Sequence, residues 1–302
     1  MKLIDSGWLV VKGFCMGMAD VVPGVSGGTM AFILGIYERL LAAIRSFDKV
    51  WLAGVFRLDF TVILKRPHFA FIIPLITGIF AALFFFTRVV PLPVLIRESP
   101  ELVYGLFFGL ILGSIIVLMK ELKGFGSADA MTLVIGTVAG LAIVNMVPLH
   151  TPDATWFIFL AGAIAICAMI LPGISGSFLL LLMHKYSTLI TAVGDLNFSI
   201  LIPFALGCIA GLVSFSRLLG WMLAHFYQRT LLVIKGILLA SLWVLWPFQL
   251  RAYEVIGGKE RLISSLPQWP TQLDETVLGS VGLVVVGLFA VLTIHALSQR
   301  SK

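Results

Sequence analysis

The sequence predicts an all-α polytopic membrane protein made of two inverted-topology repeats, each with a Pro-Gly-broken, re-entrant helical hairpin plus about three transmembrane helices. Three observations predict it. Apolar side chains make up 60% of the 302 residues and charged ones 12%, where soluble domains carry about 25% charged residues. Apolar segments recur along the whole chain, most of them near the ~20 residues that cross a bilayer core. Finally, an interruption of one such segment, "VVPGVSGGTMAF" at Val21–Phe32, returns as "ILPGISGSFLLL" at Ile170–Leu181.

The segments fall at about 7–22, 27–45, 69–90, 102–119, 128–147, 155–171, 176–194, 199–222, 230–248 and 276–297. The first could pass for a signal peptide, but Lys12 interrupts it and no small-x-small cleavage site follows, so it is expected to be retained. The connector after 27–45 carries Arg45, Lys49, Arg57, Lys65 and Arg66 and is expected in the cytoplasm by the positive-inside rule. Alternating from there puts Lys120, Lys123, Arg229, Arg300 and Lys302 inside as well, and both termini with them. The 148–154 loop has no Lys or Arg and falls outside. The 249–275 connector is an exception, with Arg251, Lys259 and Arg261 outside. It is too short to fold by itself, so residues 1–302 read as a single membrane domain. The net charge of +6 then needs no nucleic-acid partner. Cys15, Cys167 and Cys208 lie far apart in apolar segments and suggest neither disulfides nor a metal site. No cofactor is expected.

Aligning Pro23 with Pro172 (172 − 23 = 149) also pairs Gly24 with Gly173, Ser26 with Ser175, Gly27 with Gly176, Gly13 with Gly162 and Tyr37 with Tyr186. Further on, an offset of 129 pairs Pro74 with Pro203, Gly78 with Gly207 and Arg88 with Arg217, and "GLILGSIIVL" resembles "GILLASLWVL". The chain therefore divides into a first repeat, 1–150, and a second, 151–302. Three or five crossings per repeat are both odd numbers, so the second repeat should lie upside down. Inverted repeats recur in transporters, with the binding site at their interface.

Backbone that leaves a helix inside a bilayer strands polar groups, which is tolerated only against protein or a wet cavity. Proline suits the first turn of a new helix, and a helix N-terminus collects open N–H donors and positive dipole. Ser26, Gly27, Gly28 and Thr29, with Ser175, Gly176 and Ser177, are thus candidate anion ligands. Arg88 and Arg217 are the repeat-paired guanidinium groups that could fork onto phosphate oxygens. Asp20 and Glu38 are candidates for coupling through a proton or cation, since charges in membrane segments suggest function. The plainer reading of each motif is a proline kink with glycines for helix packing. The glycines at 105, 109 and 113, at 136 and 140, and at 207 and 211 have small-xxx-small spacing and are expected to pack helices.

"GVSG" and "GISG" also match the G-x-S-G of intramembrane serine proteases. A protease needs one nucleophile and a base in reach, whereas two equivalent serines suit a symmetric binding site. Transport of a small soluble anion, and an intramembrane protease or lipid phosphatase, stand as the alternatives.

"GMADVVPGVSGGTMAFILGIYERL" and "AIAICAMILPGISGSFLLLL", with "SLWVLWPF", resemble the bacterial polyprenyl-phosphate (undecaprenyl-phosphate) translocases of the PopT type. The resemblance covers nearly the whole chain. It implies a transporter of the lipid phosphate carrier in the bacterial cytoplasmic membrane, used in cell-envelope synthesis, with an anionic lipid phosphate and membrane lipids as partners. Its signature positions here are Pro23 to Thr29 and Pro172 to Phe178. "LLMHKY" departs from the family pattern, in which a glycine is usual near His184. A lipid phosphate would set its phosphate at the two helix N-termini and leave its tail in lipid or in a side-open groove.

Overall fold

The computed structural model describes residues 3–22, 25–120, 124–146, 151–256, 259–270 and 272–300. Pro23 and Gly24 of the first motif, with Lys123, His150 and Lys302, lie outside the described residues. Long apolar helices dominate: α1 (Leu3–Val21), α6 (Phe69–Arg88), α8 (Pro100–Lys120), α9 (Ser127–Val144), α10 (Thr155–Ile170), α13 (Phe198–His225), α14 (Tyr227–Leu245) and α15 (Glu275–Arg300). Six of these, all but α1 and α10, are long and apolar enough to cross a membrane. Each motif is followed by a pair of short helices, α2 (Gly27–Ile33) with α3 (Tyr37–Arg45), and α11 (Gly176–Leu182) with α12 (Tyr186–Gly194).

The element bounds repeat. The offset of 149 carries α2 onto α11 and α3 onto α12 residue for residue, and the offset of 129 carries the start of α6 onto the start of α13. The packing repeats as well. Helix α1 packs on α6 as α10 packs on α13, while α8 packs on α15 as α14 packs on α9. Glycines set the depth of these contacts, as their spacing predicts. A Cβ on Gly13 would lie 2.1 Å from the Leu75 carbonyl oxygen, and one on Gly162 would lie 2.4 Å from that of Phe204, Leu75's counterpart. Gly78 meets Val10, and Gly207 meets Phe159, in the same way. In the other pairs Gly109 lies against Val284 and Gly236 against Leu133. Backbones approach this closely only without side chains between them, and that approach replaces the hydrophobic drive that lipid removes.

Each apolar segment that follows a motif, read as one run in the sequence, is in fact two helices. The second pair bends by 108°. The turn needs one residue in the left-handed region: Gly35 at φ +67° in the first, His184 at φ +52° in the second. His184 occupies a left-handed position where glycine is favoured, which accounts for the glycine usual near it in the family.

Three features are new relative to the sequence. A short helix, α7 (Leu92–Glu98), lies between α6 and α8, and the basic connector holds α4 (Lys49–Phe56) and α5 (Phe60–Lys65). Asp48 caps α4, accepting from the N–H groups of Val50 and Trp51, and pairs with Arg66 beyond α5. The 249–275 connector contains an antiparallel hairpin, β1 (Gln249–Ile256) and β2 (Lys259–Pro267), so the fold is not wholly helical. Arg251 is no free loop charge. Its buried guanidinium donates to Glu101 of α8 at 3.0 Å and to the Pro247 carbonyl, and lies over the Tyr104 ring.

Two predictions arise. A left-handed conformation costs a non-glycine residue roughly 1–2 kcal/mol, so Gly35→His is expected to lower stability by about that amount. His184→Gly is expected to raise it slightly, and thermal unfolding in detergent measures both. The Arg66 guanidinium, and then the Trp51 N–H, hold the Asp48 carboxyl well below the usual carboxylate range. Because this pKa is depressed in the folded chain, the clasp is fully present above the ordinary aspartate value of about 3.9. It weakens as pH falls below that value and through the lower folded one. A carboxyl 13C titration is expected to show a low midpoint that rises in Arg66→Gln.

Candidate functional site

The two motifs meet. Val22 and Val25 are buried beyond the end of α1, and Ser26 then adopts extended backbone as the N-cap of α2. Its Oγ accepts from the Thr29 N–H at 3.2 Å and lies 3.1 Å from the Thr29 hydroxyl. Serine is favoured here because an oxygen one carbon from the backbone can reach that N–H. Both side chains are almost fully enclosed, Ser26 at 2% exposure and Thr29 at 1%. The Thr29 Oγ1 also accepts from the Gly173 N–H of the second motif at 2.8 Å. Tyr37, on α3, donates its hydroxyl to the Ile170 carbonyl at 3.0 Å. Gly28 comes so close that a Cβ there would sit 2.5 Å from the Met169 carbonyl oxygen. The first motif thereby covers the point where α10 breaks.

Charges on α1 hold α2 in place. The Asp20 carboxylate accepts from the Gly27 N–H at 2.6 Å, and Lys12 donates to the Leu34 carbonyl at the far end of α2 at 3.0 Å. Eight residues of α1 rise about 12 Å, close to the length of a seven-residue helix. Helix α2 therefore runs back along α1, with an anion at its positive end and a cation at its negative end. Sequence reasoning singled out Asp20 and missed Lys12. The available signal was their opposite charge at a two-turn spacing on one apolar helix.

The second motif is built differently. Gly173 takes φ +93°, which only glycine adopts without strain. Ser175 caps α11 in extended backbone, but its side chain makes no cap bond. Its hydroxyl lies 2.8 Å from that of Ser177, which is exposed. Met169 stands where Asp20 stands in the first motif, its side chain against Gly176. The α11–α12 turn is held from another direction. Lys185, at 2% exposure, donates to the Thr151 carbonyl and to Asp153 at 2.6 Å, while Thr151 donates its hydroxyl to the Met183 carbonyl. That ammonium holds the Asp153 carboxyl below its usual range.

The remaining candidates sit apart. Arg88 is the exposed last residue of α6, and Arg217 is exposed on α13 about two turns before its end. No hydrogen bond or ion pair among the described residues joins either to a motif. Glu38 accepts from the Tyr227 hydroxyl at 2.8 Å, which ties α3 to the start of α14. Neither Ser26 nor Ser175 hydrogen-bonds a histidine or lysine among the described residues, so neither has the base that a nucleophile needs. Chemically the arrangement offers hydroxyl and backbone donors within an apolar protein, which suits an anion.

A family model described as VCA0040-like, undecaprenyl phosphate translocase-like, matches residues 16–261. The polyprenyl-phosphate transporter of Vibrio cholerae serotype O1 is 40% identical over 247 residues, which cover 79% of this chain and 77% of that protein. The polyprenyl-phosphate transporter of Staphylococcus aureus is 33% identical over 260 residues, covering 80% and 86%. No solved structure matches the chain. Motifs, helices and relatives agree, and the chain belongs to the undecaprenyl phosphate translocase-like family.

Proposed function

We propose that this protein carries a polyprenyl (undecaprenyl) phosphate across the bacterial cytoplasmic membrane for reuse in cell-envelope synthesis. The observation that carries the reading is the junction of the two motifs, Thr29 on Gly173, beside the Ser175 and Ser177 hydroxyls that α11 leaves uncapped. The relatives' names supply the substrate class. The head group is bound at this junction. Ser26, Gly27, Gly28 and Thr29 form its buried floor, while Ser175, Gly176 and Ser177 are its accessible wall. Arg88 and Arg217 attract the phosphate from the rims.

The chain is read as two repeats, 1–150 and 151–302, in a single membrane domain. The run of α2 back along α1 supports a re-entrant hairpin in the first, and the matching helix bounds support one in the second. Three crossings per repeat then account for the six candidate spans. Three is odd, so the second repeat is inverted and both termini lie in the cytoplasm. Opposed hairpins let the site face each side in turn. Coupling enters through Asp20, whose protonation would weaken its hold on the Gly27 N–H, or through Glu38.

Purified protein in liposomes is expected to speed the movement of labelled polyprenyl phosphate between leaflets, and no acceleration by folded protein would overturn the reading. A hydrogen bond to a charged group is worth about 1.5–3 kcal/mol. Ser175→Ala and Ser177→Ala are therefore each expected to weaken substrate binding by about tenfold or more, in a graded way. An enzyme would instead lose everything at one serine. Arg88→Lys and Arg217→Lys keep the charge but lose the fork, and a reduced rate in both, strongest at low salt, is the expected outcome.

A further inference from the structure

We infer that a groove between α10 and α13 binds the first part of the carrier's isoprenyl chain, as a tail subsite of the head-group site proposed above, on which this inference rests. The groove has a volume of about 430 Å³ and is almost wholly apolar. That is within the range of small-molecule pockets, about 300–1,000 Å³, and suits a stretch of a long chain rather than all of it.

Its position ties it to the motif. Leu171, Ile174 and Leu179 line it, and these residues bracket Ser175 and Ser177 in the chain. A hydrocarbon chain leaving a phosphate at those hydroxyls meets this groove first. The symmetry of the fold supplies an independent observation. Three other lining residues are Ala163, Gly211 and Ser214. Their counterparts in the first repeat, at the offsets of 149 and 129, are Phe14, Ala82 and Phe85. There the rings of Phe14, Phe85 and Phe86 pack in tilted and edge-to-face contacts, with centroids 5.1 to 5.8 Å apart, while the counterpart of Phe86 is Phe215, aromatic in both. At two of these positions the first repeat thus carries aromatic rings where the second carries Ala163 and Ser214, while the rest of the groove is lined by larger apolar residues such as Phe159, Ile164 and Leu171. Small residues at these three positions leave room for a ligand where packing alone would favour filling it.

The polar atoms nearby do not alter its character. The Ser214 hydroxyl donates to the Ala210 carbonyl of its own helix at 2.6 Å, and the Cys167 thiol lies 3.7 Å from the Gly211 carbonyl. Both are turned to the backbone, which leaves hydrocarbon facing the groove. An acyl chain of bulk phospholipid has similar chemistry, but it is joined to its phosphodiester through glycerol and beside a second chain, whereas a polyprenyl phosphate carries one chain directly on a terminal phosphate that can reach the motif hydroxyls. The isoprenyl chain is therefore the occupant.

The test uses full-length protein in liposomes and a polyprenyl phosphate with a diazirine in its first isoprene units. On illumination, label is expected within residues 163–179 and 210–214. Unlabelled polyprenyl phosphate should compete it away, and phosphatidylglycerol should not. Ala163→Phe and Ser214→Phe introduce the residues of the first repeat, and Ala163→Leu is a milder version. Losing the burial of one isoprene unit should slow polyprenyl phosphate movement by at least about tenfold. Inhibition by methyl phosphate, which carries the phosphate head group and no isoprene unit, should be unchanged. Label spread over other helices, equal competition by phosphatidylglycerol, or unaltered transport by the folded phenylalanine variants would each overturn the tail subsite while leaving the head-group site standing. A wild-type protein that neither moves polyprenyl phosphate nor responds to methyl phosphate would overturn both.

Discussion

The break in α10 is the constraint around which the rest of the molecule is arranged. A helix that stops inside a bilayer leaves carbonyl and amide groups with no partner in lipid, at several kcal/mol for each. Here the first half of the chain provides the partners. Tyr37 takes the Ile170 carbonyl, Thr29 takes the Gly173 N–H, and Gly28 lets α2 approach closely enough for both. The second motif thus keeps its irregular backbone only while the first is docked on it. That dependence explains why the halves are intertwined as well as adjacent. Helix α8 packs on α15 and α9 on α14, so each half closes its bundle with a helix from the other.

The two halves share a scaffold and differ in what they place on it. Glycine contacts recur almost atom for atom, since close helix approach is needed equally in both. Side chains around the motifs do not recur. Asp20 and Lys12 clamp α2, whereas Met169 and Ala161 stand at the corresponding positions beside α11. Phe14 and Phe85 bring their rings together on the first-repeat side, and Ala163 and Ser214 stand at the corresponding positions and line the groove on the second. The first half reads as the rigid member and the second as the one with space. Under the proposed function, a perfectly symmetric site would have to bind one asymmetric lipid, with a charged head and a single long tail, using two identical surfaces. Different side chains on a shared scaffold remove that conflict.

How much of this was legible depends on the range of the interaction. Hydrophobic runs, broken segments and glycine stripes are local, and they gave the helix bounds to within a few residues. The division at Gly35 and His184 was less visible, because a left-handed residue inside an apolar run leaves only a glycine as a clue, and the second copy has no glycine. The hairpin was legible and missed: "QLRAYEVIGGKERLISSLP" puts Gly-Gly between two runs rich in β-formers, a hairpin signal. What lay beyond reach is tertiary. Nothing in the residues near Thr29 says that its hydroxyl will meet Gly173, 144 residues on. Nor does the loop around Arg251 announce a partner at Glu101. That pairing also accounts for a basic residue in a connector expected on the outer side, since a neutralised, buried Arg251 adds little to the loop charge that orients the chain.

The cost of holding each short helix bears on where an anion can bind. Keeping Lys12 and Asp20 in a membrane segment is expensive, and it is offset because both ends of the α2 dipole are neutralised together. Helix α11 is secured more cheaply. Its far end is fixed by Lys185 and Thr151 against the 151–153 segment, so its N-terminus needs no resident carboxylate. The result is one short helix whose N–H donors already serve a side chain and one whose hydroxyls, among the described residues, bond only each other. An incoming phosphate at α2 would have to displace Asp20 and repel its charge. At Ser175 and Ser177 it would meet donors with no anion of their own, beside an apolar groove. On electrostatic grounds alone, an anion is accommodated more easily beside the second motif than at the first.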